Sequence, residues 1–241
     1  HKYYRYLIVT ERLYSKDAYL KSYTTEVTAN TNRNIILVST IFYPLGGGQP
    51  GDTGTLSWQN FEAKVINTLL NKDGDIEHII SEDSPVPDIG EAITARINWD
   101  RRYLHMRMHT ALHLLGSILP YGVTGGNISE TKSRLDFDME APVDKESVNK
   151  ELNKLVLENR NIQSKWVTQE VLAQQPELIR TMSVKPPITN QDIRLLEIEG
   201  IDLQPCGGTH LRTTGEVGQI ALGKVEKKGK HNRRVYIKLT D

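Results

Sequence analysis

His109-Thr110-Ala111-Leu112-His113 and Cys206-Gly207-Gly208-Thr209-His210 are the stretches on which the reading of this chain turns. In the first, two imidazoles stand four residues apart in a helix-forming run, so they project from one helix face about one turn apart and can reach a single ion. In the second, the Gly-Gly pair makes a regular helix unfavourable, so Cys206 and His210 are expected on a loop folded around the metal. A lone histidine pair at this spacing carries little weight. The only cysteine of the chain, recurring at the same spacing before another histidine, makes a metal-site signature of it. His109, His113, Cys206 and His210 form a donor set suited to tetrahedral zinc. Peptide hydrolysis of the His-Glu-x-x-His kind is disfavoured, because its glutamate base is replaced here by Thr110.

Outward from the first stretch, Tyr103, Met106, Ala111, Leu112, Leu114, Leu115 and Ile118 supply the apolar content of a helix. Asp100 is its expected N-cap, and Pro120 and Gly122 follow its end. A second helix is expected over 144–161, where Val148, Leu152, Leu155, Val156 and Ile162 recur at helical spacing. Strands are expected near 131–138, 193–198, 219–225 and 234–239. Before the zinc helix, from Tyr3 to about Trp99, the pattern is strand-like: residues 22–29, 34–40, 61–70, 76–80 and 92–98 are short β-prone runs separated by Asn, Gly, Asp and Pro. A small β-barrel closes such a set, with 84–88 as a rigid surface connection. The expected fold class is α+β: a β-barrel-like domain over 1–99, then an α+β domain over 100–241 whose helices pack on a mostly antiparallel sheet.

The 241 residues suffice for two modest domains, and 30 basic against 30 acidic side chains give no global positive field, so any RNA contact must be local. One cysteine forms no intramolecular disulfide, and a thiolate ligand survives best in a reducing compartment. No apolar run approaches the roughly 20 residues of a membrane span, and no signal peptide is visible. A cytoplasmic protein without membrane association is expected. No feature assigns an oligomeric state, and His1 carries no weight in the functional reading.

HTALH followed by CGGTH resembles the zinc-binding core of the alanyl-tRNA synthetase editing domain. Phe42-Tyr43-Pro44-Leu45-Gly46-Gly47-Gly48-Gln49-Pro50-Gly51-Asp52-Thr53-Gly54 is similar to the glycine-rich segment that precedes that core. Nothing resembles the aminoacylation domain. The resemblance is therefore to the free-standing, trans-acting AlaX editing proteins of medium length, and it runs from about Asp17 to about Val225.

That resemblance implies hydrolysis of the ester joining a wrong amino acid to the 3′ end of alanine tRNA, with serine as the main residue removed and glycine as a further one. Zinc then either activates the attacking water or, with four protein ligands, anchors architecture and substrate. Gly46-Gly47-Gly48 and Gln49 read either as a loop laid against the substrate or as a tight barrel turn; the resemblance favours the first. After the zinc helix, synthetase editing domains resemble one another in a Gln-x-Gly-Ser segment, whereas this chain reads Val123-Thr124-Gly125-Gly126-Asn127. The resemblance makes Thr124 the match for a threonine that contacts the serine hydroxyl; otherwise it is a β-branched strand residue. Residues 227–234 and Arg101, Arg102 and Arg107 are the basic groups expected to meet RNA, the former alternatively a solvated hairpin tip. His78, His105 and His231 read as packing or surface histidines. The rival functions are a noncatalytic tRNA-binding module with structural zinc and an editor of another tRNA such as threonine tRNA.

Overall fold

The computed structural model of the chain describes residues 9–177 and 191–241. Its contacts divide it into two compact units, one ending at Tyr103 and the other beginning at Leu104. The strand-like pattern from Tyr3 therefore begins outside the described residues.

The first unit contains β1 (Glu11–Arg12), β2 (Ser22–Thr31), β3 (Asn34–Leu37), β4 (Ser39–Thr40), β5 (Gly54–Trp58), β6 (Phe61–Leu70), β7 (Ile76–Ile80) and β8 (Ala92–Ile97). Six of these close a barrel in the order β2-β3-β7-β6-β5-β8, which leaves no free sheet edge. Alternation puts Ile35 and Leu37, Ala63 and Val65, and Ile93, Ala95 and Ile97 into one core. Residues 84–88 connect β7 to β8 without regular structure, and Asn30 Nδ2 donates to Pro87 O at 2.7 Å. The run 34–40 is broken at Val38 rather than continuous, because its backbone leaves β3 to bond Glu11 and Glu26. β5 escapes the sequence reading because it grows out of the glycine-rich segment. A Cβ at Gly54 would stand 2.0 Å from Arg96 O, so only glycine lets β5 approach β8 there.

The division between the units falls inside α1 (Trp99–Ile118). Its cap is Asn98, not Asp100: Asn98 Oδ1 accepts from Arg101 N at 3.2 Å and Asn98 O from Arg102 N at 3.0 Å. Asp100 lies in the first turn, where its charge favours the positive end of the helix dipole. Arg102, in the same turn, is fully buried, and its Nε reaches both oxygens of the buried Asp52 carboxylate, at 3.1 and 2.9 Å. Nη2 donates to Asp52 Oδ2 as well as to Ile41 O, and Nη1 to Ala18 O, while Tyr43 N donates to Asp52 Oδ2. Every charged atom of this pair is thus met, and losing one partner from such a pair costs about 3–5 kcal/mol.

The second unit continues with β9 (Gly122–Asn127), β10 (Lys132–Asp138), α2 (Lys145–Leu157), β11 (Ile162–Val167), α3 (Gln169–Gln174), β12 (Ile193–Ile198), β13 (Asp202–Pro205), β14 (Ile220–Lys227) and β15 (Asn232–Leu239). Two antiparallel sheets result, ordered β14-β15-β10-β9 and β11-β12-β13. The fold class is α+β, as expected. Asp144 caps α2, its carboxylate accepting from Ser147 N at 3.1 Å, and Val148, Leu152, Leu155 and Val156 are its buried face. The expected end near Asn161 is wrong. Asn159 adopts φ +50°, which stops the helix, and Ile162 belongs to β11.

His78 lies wholly inside the barrel, its two ring nitrogens 2.7 Å from Thr40 Oγ1 and 2.8 Å from Ile35 O. Burial pushes its pKa down to about 4, against smaller raising effects of Ile35 O and Asp52. A folded-state pKa below the unfolded one means stability present above about pH 6.5 and lost as pH falls towards 4. The shift corresponds to about 3 kcal/mol. Urea unfolding of the wild type and of His78→Asn from pH 7 to pH 4 should show the wild-type advantage shrinking by about that amount. A constant gap would show that His78 does not couple pH to stability.

Candidate metal centre

From Met108 to Leu115 every residue of α1 is buried, so the helix is enclosed on all sides and His109, Thr110 and His113 are polar groups inside a packed interior. The second pair arrives on 206–210, which has no regular secondary structure. Arg194, on β12, holds this loop: its Nη1 donates to Cys206 O at 3.0 Å and Gly208 O at 2.7 Å, and Cys206 N donates back to Arg194 O.

The donor atoms of His109, His113, Cys206 and His210 all lie within 4.8 Å of one another. Cys206 Sγ stands 3.2 Å from His210 Nε2 and 3.6 Å from His109 Nε2. Adjacent ligand atoms of tetrahedral zinc with nitrogen and sulfur donors are about 3.3–3.8 Å apart; the 3.6 Å spacing falls in that range, the 3.2 Å one lies just below it, and the 4.8 Å limit of the set would have to close on an ion. The opposite ring nitrogens are tied down. Thr110 Oγ1 lies 3.2 Å from His210 Nδ1 and also accepts from Leu211 N at 3.3 Å; Asp202 Oδ2 lies 3.3 Å from His113 Nδ1. Gln204 steadies the carboxylate, donating to Asp202 Oδ2 at 2.6 Å beside the same ring nitrogen. Such outer contacts fix which nitrogen faces a metal.

The electrostatics agree for two of the donors. Burial alone would disfavour a Cys206 thiolate, but His109 and His210 outweigh it and bring the thiol well below its ordinary pKa. Burial, helped by His109, holds His210 well below the usual imidazole range. Thiolate and neutral imidazole are the forms that bind metal. At His113 burial again opposes charge, yet the bonds to Asp202 and Cys206 prevail and raise it to about 9.

The other expected site residues stand on other elements. Thr124 is exposed on β9, where the register with β10 skips a residue: Phe137 faces Val123 and Asp136 faces Gly125. Thr124 is the extra residue of that bulge, a device that re-aims a side chain. Its Oγ1 donates to Asn232 Oδ1 at 3.3 Å. Gly47 and Gln49 belong to the first unit. Gly46 and Gln49 exchange backbone bonds of 3.1 and 3.0 Å across Gly47 (φ +58°) and Gly48 (φ +82°), so the segment is a two-residue turn that needs positive φ at both centres. Gln49 is fully buried, whereas a Cβ on Gly47 would meet no atom within 4 Å.

Of the three arginines on α1, Arg102 is corrected as an RNA contact, because it is wholly buried on Asp52. Arg101 Nη1 donates to Gly51 O at 2.8 Å, and Arg107 binds Val217 O and the Asp241 carboxylate, both side chains staying partly exposed. Residues 228–231 are the tip of the β14-β15 hairpin; Lys228 pairs with Glu226 and Arg234 with Asp136, while Lys227 and Lys230 are exposed without an ion pair among the described residues. His105 is buried packing beside Glu130, and His231 is exposed and paired with Glu140. Thr110, Arg194, Asp202 and Gln204 were missed. For Thr110 a signal existed, since a hydroxyl inside a helix otherwise buried on every side needs a partner.

The chain thus joins a closed barrel to an α+β unit that holds a three-histidine, one-cysteine cluster. The family model described as threonyl and alanyl tRNA synthetase second additional domain matches residues 193–236, and that of class II (A) tRNA synthetases matches 2–101. The chain is 36% identical to the alanyl-tRNA editing protein AlaX-M of Methanosarcina mazei, over 97% of this chain and 98% of that one. It is 34% identical to AlaX-M of Saccharolobus solfataricus, over 95% and 98%. With the alanine tRNA ligase of Ignicoccus hospitalis it shares 34% identity over 90% of this chain but 24% of that enzyme. The chain belongs to the AlaX family of alanyl-tRNA editing proteins.

Thr110→Val keeps the shape and deletes the oxygen that holds His210. Zinc affinity, read by chelator competition, should fall about 10–100-fold with the fold retained. Unchanged affinity would show that the hydroxyl does not orient the ring.

Proposed function

We propose that this protein is an aminoacyl-tRNA deacylase that acts in trans on alanine tRNA carrying the wrong amino acid, with serine as the principal residue removed and glycine as a second. The observation that carries the reading is the convergence of His109, His113, Cys206 and His210 in a chain that is related to AlaX-M proteins over nearly its whole length. Bound zinc would supply Lewis acidity at the ester. The protein's own share is positional. Arg194 holds the Cys206–Gly208 backbone in place, and exposed Gly207 offers an N–H that no described residue accepts, a suitable donor for the oxyanion of ester hydrolysis. Thr124 Oγ1, already donating to Asn232, keeps lone pairs with which to accept a serine hydroxyl proton.

This assignment gives selectivity a physical basis. Alanine is smaller than serine and fits wherever serine fits, so size alone cannot spare the correct ester. One hydroxyl partner supplies about 1–3 kcal/mol, which is roughly ten- to a hundredfold. The family resemblance also gives Gly47 and Gln49 a part in substrate handling. Gln49, being buried, would act through the shape of its turn, and Gly47 through the open space at its Cα.

A deacylation series with seryl, glycyl and alanyl esters on alanine tRNA, plus seryl threonine tRNA, tests the reading. Seryl alanine tRNA should turn over fastest and alanyl tRNA be spared. Thr124→Val should slow serine removal about ten- to a hundredfold and leave glycine removal nearly unchanged. Equal loss on both substrates would move Thr124 out of discrimination. Preference for threonine tRNA would favour the second reading, which the threonyl and alanyl description of the matching 193–236 segment supports.

A further inference from the structure

Trp166 is the largest side chain standing in solvent beside the metal-binding loop: it is 55% exposed on β11, the outer strand of its sheet. The pairing places it directly opposite Arg194 on β12. Arg194 is in turn bonded to Cys206 through Cys206 N and Cys206 O. Residues opposite one another in antiparallel strands point to the same face, so Trp166, Arg194 and Cys206 form one row across the sheet. The next rows on that face are Ser164, Leu196 and Gln204, then Ile162, Ile198 and Asp202. It is therefore the face that carries Gln204 and Asp202 to His113.

Trp166 is not among the residues of the small core of this sheet. The small core on the opposite face is made by Val167, Leu172, Ile193, Leu195 and Leu203. Among the described residues no aromatic ring or cation stacks on the indole. Two strand spacings, about 10 Å, separate its backbone from that of Cys206. That is the span of one nucleoside, and an ester on a terminal ribose carries its base at such a remove from the reacting carbonyl.

We propose that Trp166 is the stacking platform for the terminal adenine of the tRNA substrate, holding the base while the ester lies at the His109, His113, Cys206 and His210 cluster. The inference rests on the deacylase reading for its kinetics but not for its binding test. Trp166 acts as a positioning residue: stacking suits any base, contributes about ten- to a hundredfold to binding, and asks nothing of the chemistry.

Two measurements on the full chain decide it. The three tryptophans give three indole N–H signals, and Trp166→Phe assigns one. Titration with adenosine 5′-monophosphate and with an uncharged hairpin RNA ending in CCA should shift the Trp166 signal saturably; a silent signal overturns the proposal even if deacylation succeeds. In kinetics with seryl alanine tRNA, Trp166→Ala should raise KM about ten- to a hundredfold with kcat and zinc content kept, and Trp166→Phe should restore most of the loss. On a substrate whose terminal ribose lacks its base, Trp166→Ala should have no further effect. An equal loss on that substrate, or a wild-type KM in Trp166→Ala, overturns it. If the wild type fails to deacylate while the RNA titration shifts Trp166, the deacylase reading falls and the platform stands.

Discussion

Three imidazoles and one thiol must be brought to a common point inside the second unit, and the surrounding structure answers to that demand. Titratable groups crowded this closely repel or protonate one another unless their outer atoms are held. The structure holds them with Thr110 on His210, with Asp202 and Gln204 on His113, and with Arg194 on the loop backbone. Three of these four residues stand on strands of the β11-β12-β13 sheet and one on the helix that carries two of the histidines. The geometry therefore depends on a strand register as much as on the helix repeat. A one-residue slip of β13 would turn Asp202 and Gln204 to the other face and release His113.

The glycine-rich segment shows a different economy. Gly51 and Gly54 admit backbone where a Cβ would stand 2.2 Å from Thr68 O or 2.0 Å from Arg96 O, and Asp52 is committed to Arg102. Much of the motif is thus consumed by barrel closure and by fixing the first turn of α1. Gly47 is held by the positive φ of its turn, and the space at its Cα is open.

How much of this could be read from the chain follows from the range of each interaction. Five of the six barrel strands and α2 were legible because local alternation and helical spacing report burial directly. β5, β9, β11 and β13 were not: Gly54 and Gly122-Val123-Thr124-Gly125-Gly126 carry too few side chains to show a period, and Ile162 continued a helical pattern that one left-handed asparagine at 159 interrupts. The four donors were legible because their spacing is local within each pair. Their supports were not, since Asp202 and Arg194 meet the site only through sheet pairing. Arg102 misled for the same reason: its partner, Asp52, leaves no trace in nearby sequence.

Whether the four-donor cluster holds an ion that deacylation needs can be measured directly. On one preparation, zinc per chain and the single-turnover rate on seryl alanine tRNA should be measured before chelation, after it, and after zinc is restored. The expected result is close to one zinc per chain, loss of turnover as the metal is withdrawn and recovery when it returns. Undiminished turnover in protein stripped of zinc would contradict it.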